Sequence, residues 1–132
     1  MATSVLIVDD HLPFRAWARV LLERAGYAVL AEAADGASAI DAARRTRPQL
    51  VLLDVRLPDI DGLEVARRLG AEPAAPMVVL ISARAACDYG QRMLRSRAVG
   101  FLPKADFSVE ALARLLAAHA GRDPILEDPA QE

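Results

Sequence analysis

The chain has 132 residues, 54% of them hydrophobic and 26% charged, with 16 basic and 18 acidic side chains giving a formal charge of −2. That length suits one domain able to bury roughly two thirds of its unfolded surface, and the composition excludes a disordered chain. The even charge balance does not suggest a non-specific nucleic-acid binder or a polybasic membrane binder, and the single cysteine, Cys87, excludes an internal disulfide framework and a multi-cysteine zinc site.

Ser4 to Val8 (SVLIV) is a nearly continuous apolar run, the pattern of a strand covered on both faces. Phe14, Trp17, Ala18, Leu21 and Leu22 then fall at the i, i+3, i+4, i+7, i+8 spacing of a helix, with Pro13 in its first turn and Gly26 at its end. Tyr27 to Ala33 (YAVLAEA) is more mixed and suits an outer strand. Asp35-Gly36 opens a second helix running to about Thr46 and stopped before Pro48. Leu50 to Leu53 (LVLL) is a third strand, Leu63 to Leu69 a third helix ended by Gly70, and Met77 to Ile81 (MVVLI) a fourth strand. Ala86 to Arg95 makes a poorer helix, because Gly90 falls inside it at about 1 kcal/mol relative to alanine. Val99 to Leu102 is a weaker strand, and Leu112, Leu115, Leu116 and His119 mark one face of a last helix beginning near Ser108. With only 5% aromatics and 27 alanines, the core is expected to be aliphatic.

Five strands alternating with five helices imply right-handed crossovers and an α/β fold, a doubly wound parallel sheet with helices on both faces. Residues 1–120 read as one domain. Residues 121–132, GRDPILEDPAQE, carry two prolines and several acids and read as a tail or a truncated linker. In such a sheet, ligands bind beyond the carboxyl ends of the strands. The first run ends in Asp9-Asp10, the third in Asp54, the fourth in Ser82 and the fifth in Lys104. Three carboxylates, a hydroxyl and an ammonium therefore fall on one edge.

These residues resemble the receiver domain of bacterial two-component response regulators. The resemblance covers residues 4 to about 120 and rests on VDD at 8–10, LLDVRLPDIDG at 52–62, ISA at 81–83 and GFLPK at 100–104. Each piece alone is weak; four in order, each at a strand end, are specific. The resemblance implies strand order 2-1-3-4-5, which clusters Asp9, Asp10 and Asp54. Two carboxylates ~4 Å apart repel by about 4 kcal/mol at an effective dielectric of ~20, so the cluster needs a positive partner or a shared proton. Mg²⁺, with Mn²⁺ as a substitute, suits such oxygen ligands. The implied ligands are Asp10, Asp54 and the backbone carbonyl of Arg56, with Asp9 helping directly or through water. The resemblance further makes Asp54 the phosphoacceptor, Lys104 the phosphate-binding cation, Ser82 the switch hydroxyl and Phe101 the switch aromatic. Phosphorylation would draw Ser82 and Lys104 inward and let Phe101 rotate, reshaping the surface of the fourth and fifth helices.

Three features depart from the commonest family pattern. Ala105 rather than proline follows Lys104, with Pro103 before it, which removes the usual reason for a cis bond after the lysine. The GFLPK form resembles the subgroup that often carries helix-turn-helix output domains. Serine replaces the commoner threonine at 82, and Arg56 and Arg84 sit two residues after Asp54 and Ser82, positions that the resemblance implies flank the site mouth. Blander roles compete at some positions: Asp9-Asp10 as a helix cap, His11 as a solvated loop residue, His119 as a helix-end cation, Cys87 as structural, Trp17 as packing for the first helix.

The expected partner is a sensor histidine kinase or a histidine phosphotransfer protein, with a second copy of the chain as a further candidate. No direct nucleic-acid binding is expected of this chain, and no membrane association. No apolar stretch approaches the ~18 residues of a membrane span, and the N-terminus lacks a signal-peptide pattern, so a cytoplasmic location is expected. The chain would modify and dephosphorylate itself without turning over a metabolite, and so is not expected to be an enzyme. The alternatives are a phosphate-independent module on the same fold and, less favoured because position 56 is arginine, an aspartate-nucleophile phosphatase.

Overall fold

The computed structural model describes residues 2–83, 89 and 92–120. The strands are β1 (Ser4–Val8), β2 (Ala28–Ala33), β3 (Leu50–Asp54), β4 (Met77–Ser82) and β5 (Gly100–Pro103). The helices are α1 (Leu12–Arg24), α2 (Gly36–Thr46), α3 (Gly62–Gly70), α4 (Arg92–Arg95) and α5 (Val109–Ala120). All neighbouring strands run parallel, in the order β2-β1-β3-β4-β5. The fold class and strand order are those expected. Half of the expected fourth helix (86–88, 90 and 91), Cys87, Arg84 and the tail over 121–132 lie outside the described residues.

Alternation within the strands sorts the core into two layers, because successive strand side chains face opposite sides. Leu6, Val8, Val51, Leu53, Val78 and Leu80 pack under α2 and α3, with Met93 of α4 against them. Val5, Ile7, Leu50, Leu52, Val79 and Ile81 pack under Ala18 and Leu22 of α1 and Leu112 of α5. Phe107 is the one aromatic residue in the buried core, in keeping with an aliphatic composition. Trp17 does more than pack its own helix: it stays 47% exposed, and its ring lies 5.7 Å from Phe14 and 5.8 Å from Phe107.

The helix ends follow local chemistry. Pro13 occupies the first turn of α1, where its missing N–H costs nothing. Asp35 caps α2 by accepting from the Ser38 N–H at 2.8 Å. Arg47 closes that helix in a left-handed conformation (φ 48°) and donates to Ala43 O just before Pro48. The Ser108 hydroxyl accepts from the Ala111 N–H at 3.0 Å, which starts α5 where expected. Pro103 ends β5, an edge strand that tolerates a residue without an N–H.

The loop between β3 and α3 is fastened at both ends. Asp59 accepts from the Gly36 and Ala37 N–H groups at 2.7 and 3.0 Å, a second cap on α2 that holds its carboxyl below the usual range. Gly62 donates to Val55 O at 2.8 Å, and a Cβ there would sit 2.2 Å from Asp54 O and 2.6 Å from Val55 Cα. Only a residue without a side chain lets α3 start this close to the end of β3. Gly62→Ala is therefore expected to destabilise the domain by about 1–3 kcal/mol despite alanine's better helix propensity, because the clash is with backbone that cannot give way. A thermal melt checks this: a fall of roughly 3–12 °C is expected, and an unchanged or raised midpoint would show that the loop is not held as described.

Candidate functional site

Asp9 follows β1, Asp54 ends β3, and these strands are neighbours in the sheet. Both side chains are buried, Asp9 at 0% and Asp54 at 4% exposure. Asp10 is exposed, yet each of the three acids offers a carboxylate oxygen within 4.8 Å of the others. Two unit negative charges at that separation repel by about 3–4 kcal/mol at an effective dielectric of ~20. The required positive partner is Lys104, in a 3₁₀ turn (Lys104–Asp106) that continues from β5. Its Nζ lies 2.8 Å from Asp9 Oδ2 and 3.2 Å from Asp54 Oδ2, and 4.8 Å from the centroid of the Phe14 ring.

The remaining carboxylate oxygens are bound by backbone. The His11 N–H donates to Asp9 Oδ1 at 2.8 Å and the Arg56 N–H to Asp54 Oδ1 at 3.0 Å. The Asp9 side chain thus takes an N–H ahead of α1 rather than within it, and His11, an exposed residue, is the residue that precedes the helix without a side-chain cap. Asp9 Oδ2 is fully buried, and no donor meets it in hydrogen-bond geometry although the Lys104 ammonium stands beside it. A buried, under-coordinated carboxylate oxygen next to a second carboxylate fits a hard divalent ion, which prefers oxygen donors.

Burial raises the Asp54 carboxyl above the usual carboxylate range; the Arg56 N–H opposes this, the Asp9 charge adds to it and Lys104 opposes it. Burial would lower the Lys104 ammonium, but the Asp9 carboxylate 2.8 Å away and the charge of Asp54 outweigh that and hold it above the ordinary lysine value.

Ser82 and Phe101 belong to a second group. The Ser82 side chain is buried at the end of β4, and its hydroxyl lies 2.6 Å from the Tyr89 hydroxyl. The Tyr89 ring lies 6.2 Å from the Phe101 ring, and both pack on the layer under α2 and α3. Phe101 is half-buried, opposite Leu80 in the register of β4 and β5. Arg56 is exposed. All peptide bonds are trans among the described residues, including the one after Lys104.

Three contacts were not legible in the sequence. Arg15 Nη1 donates to Asp9 O at 2.6 Å, Phe14 lies under the Lys104 ammonium, and Tyr89 bridges Ser82 and Phe101. Phe14 was visible as a helix-face residue, but nothing in the pattern marked it as a neighbour of the lysine.

The chain matches the response regulator receiver domain family over residues 5–117. A putative transcriptional regulator of Pseudomonas aeruginosa is 38% identical over 119 residues, and the Bordetella pertussis regulator BvgA, named a putative positive transcription regulator of virulence factors, is 36% identical over 121. These alignments cover 90% and 92% of this chain, which spans 58% of the length of either relative. Among solved structures, the receiver domain of the putative response regulator NarL from Mycobacterium tuberculosis superposes with a TM-score of 0.79 at 32% identity, covering 91% of this chain and 98% of that one. The receiver domain of a sensor histidine kinase from Pseudomonas aeruginosa PAO1, with magnesium coordinated in its active-site cleft, superposes at 0.78 with 27% identity, covering 92% and 99%. A fold with this strand order, its acids and lysine at the sheet's carboxyl edge, and a family match over nearly its whole length place the chain in the response regulator receiver domain family.

Proposed function

We propose that this domain accepts a phosphoryl group on Asp54 from a histidine kinase or a histidine phosphotransfer protein, with Mg²⁺, and that the modification changes a partner-binding surface. The observation that carries the reading is the buried pair Asp9 and Asp54 held by one lysine. Asp54 Oδ2 attacks the donor phosphorus; the phosphorus–nitrogen bond to the donor histidine breaks, its electron pair stays on the imidazole nitrogen, and an acyl phosphate forms. Asp9, Asp10, Asp54 and the Arg56 carbonyl would hold Mg²⁺, which when bound offsets charge on the transferring group. Lys104 follows the added charge, leaving its contact with Asp9 for a phosphoryl oxygen, and Ser82 donates to another. Because Ser82 and Phe101 both meet Tyr89, whose carbonyl accepts from the Arg92 N–H at 3.3 Å at the start of α4, movement at the phosphoryl site would have a route to that helix.

Receiver family membership supports phosphorylation by a histidine kinase, and the magnesium in the cleft of a structural relative supports the metal. The relatives named as transcription regulators motivate transcription control as the process served. Among the described residues no helix is long and apolar enough to cross a membrane.

Incubation with a small phosphodonor and Mg²⁺ is expected to add one phosphoryl mass to the wild type and none to Asp54→Asn. Lys104→Ala is expected to lower the rate on the order of 10²-fold, the usual scale for losing one electrostatic stabiliser of a transition state. Absence of a mass gain on the wild type would favour a phosphate-independent module; rapid hydrolysis of an external phosphomonoester would favour a phosphatase.

The raised Asp54 carboxyl has a stability consequence with a definite sign. The folded state binds this proton more tightly than the unfolded state, so ionising Asp54 costs stability. The cost is absent below the unfolded carboxylate value of about 4 and grows as pH rises through the elevated folded value. Without divalent ions, Asp54→Asn is therefore expected to melt higher than the wild type at pH 7, with the gap closing by about pH 4. Mg²⁺ at tenfold over its dissociation constant would return about 1.4 kcal/mol to the wild type and little to the variant. Thermal melts across pH, with and without Mg²⁺, check both; a variant less stable than the wild type at pH 7 would reverse the assigned sign.

A further inference from the structure

The geometry points to Arg15, held in place by Glu32, as a positioning residue for the Asp9-Asp10 pair. This rests on the proposed binding of a divalent ion by those acids.

The backbone of Asp9 is pinned to β2 through both its N–H and its carbonyl. Its N–H donates to Ala33 O at 3.0 Å, and its carbonyl accepts from Arg15 Nη1 at 2.6 Å. Arg15 is in turn held by Glu32, the residue before Ala33: Arg15 Nε donates to Glu32 Oε1 at 2.8 Å. Glu32 Oε2 accepts from Arg19 Nη1 at 2.6 Å, so both carboxylate oxygens are engaged. The Arg15 side chain is only 16% exposed, whereas that of Arg19 is 41% exposed. A guanidinium drawn out of water onto a backbone carbonyl is a costly placement unless it is paired, and Glu32 supplies the paired charge at Nε.

The carbonyl that Arg15 binds belongs to the peptide joining Asp9 to Asp10. Fixing that plane, together with the His11 N–H on Asp9 Oδ1, fixes the orientation of two consecutive acids. Mutual repulsion would otherwise splay them. Arg15 holds the carbonyl through Nη1 while its Nε is tied to Glu32, so the rigid guanidinium is anchored at a second point; a lysine, with one flexible point of attachment, cannot be.

Charge and geometry make opposite predictions here. If Arg15 acted only as a nearby positive charge, removing it would tighten binding of a cation. If it acts by position, removing it weakens binding. Outer-shell partners of this kind typically account for 10–100-fold in metal affinity.

The test is Mg²⁺ affinity by amide chemical-shift titration, with metal-free thermal melts run in parallel. Wild type, Arg15→Ala, Arg15→Lys, Glu32→Gln and Arg19→Ala are compared. Arg15→Ala and Arg15→Lys are expected to bind about 10-fold more weakly, Glu32→Gln several-fold more weakly, and Arg19→Ala within about twofold of wild type, since Arg19 grips Glu32 but not Asp9. Should Arg15→Ala not fold, Arg15→Lys carries the test. Affinity in the Arg15 variants equal to or tighter than wild type overturns the proposal, as does an equal loss in Arg19→Ala. Wild-type protein that binds no Mg²⁺ overturns the metal reading itself, and is seen before any variant is made.

Discussion

Asp9 and Asp54 keep their carboxylates inside the protein because one ammonium, Lys104, reaches both. Taking either acid out of water is expensive, and taking two is worse by their mutual repulsion. The lysine arrives from a turn that the end of β5 launches, some fifty residues beyond Asp54 in the chain. The sheet order is what makes the meeting happen: it sets β1 beside β3, and carries the carboxyl ends of all five strands to one edge. Much of the rest of the structure serves that edge. Gly62 lets α3 begin against the end of β3, Asp59 ties the intervening loop to α2, and Phe14 gives the lysine an aromatic face to rest on.

The edge divides into two neighbouring groups with different chemistry. One is charged, made of Asp9, Asp10, Asp54 and Lys104. The other is an arrangement of hydroxyls and rings, Ser82, Tyr89 and Phe101, in the layer beneath α2 and α3. A charge added to the first group alters what the lysine and the serine must satisfy, and the second group is where such a change meets packed side chains. Tyr89 touches both of the residues that the family resemblance marks as switch parts, and gives them a direct physical connection in this protein.

The fold was legible in the sequence wherever burial on both faces left a continuous apolar run. SVLIV, LVLL and MVVLI announced the three central strands, and the residue that broke each run was the residue that now faces the site. Period and composition carried no information on strand order; that came from the motifs jointly. The two end strands were blurred at their boundaries, because an edge strand packs less and tolerates Ala28 or Pro103 as readily as a branched residue. Asp9, Asp54 and Lys104 were legible as charges in positions where charge is costly. Arg15, Phe14 and Tyr89 were not, since an arginine on a helix, a phenylalanine on its apolar face and a tyrosine in a poor helical stretch are ordinary in sequence. Only the tertiary arrangement brings them against Asp9, Lys104 and Ser82. Trp17 shows the same limit: its spacing marked a packed helix face, while the structure leaves half of its surface open beside Phe107.

The most direct measurement of the central claim, that these acids form one cation-binding pocket, is the paramagnetic broadening of amide signals by substoichiometric Mn²⁺ with Mg²⁺ as competitor. The predicted result is selective loss of the signals of Asp9, Asp10, His11, Asp54, Val55 and Arg56 ahead of all others, restored by excess Mg²⁺. Uniform broadening, or broadening centred on other acids such as Asp35 and Asp41 of the α2 region, would contradict it.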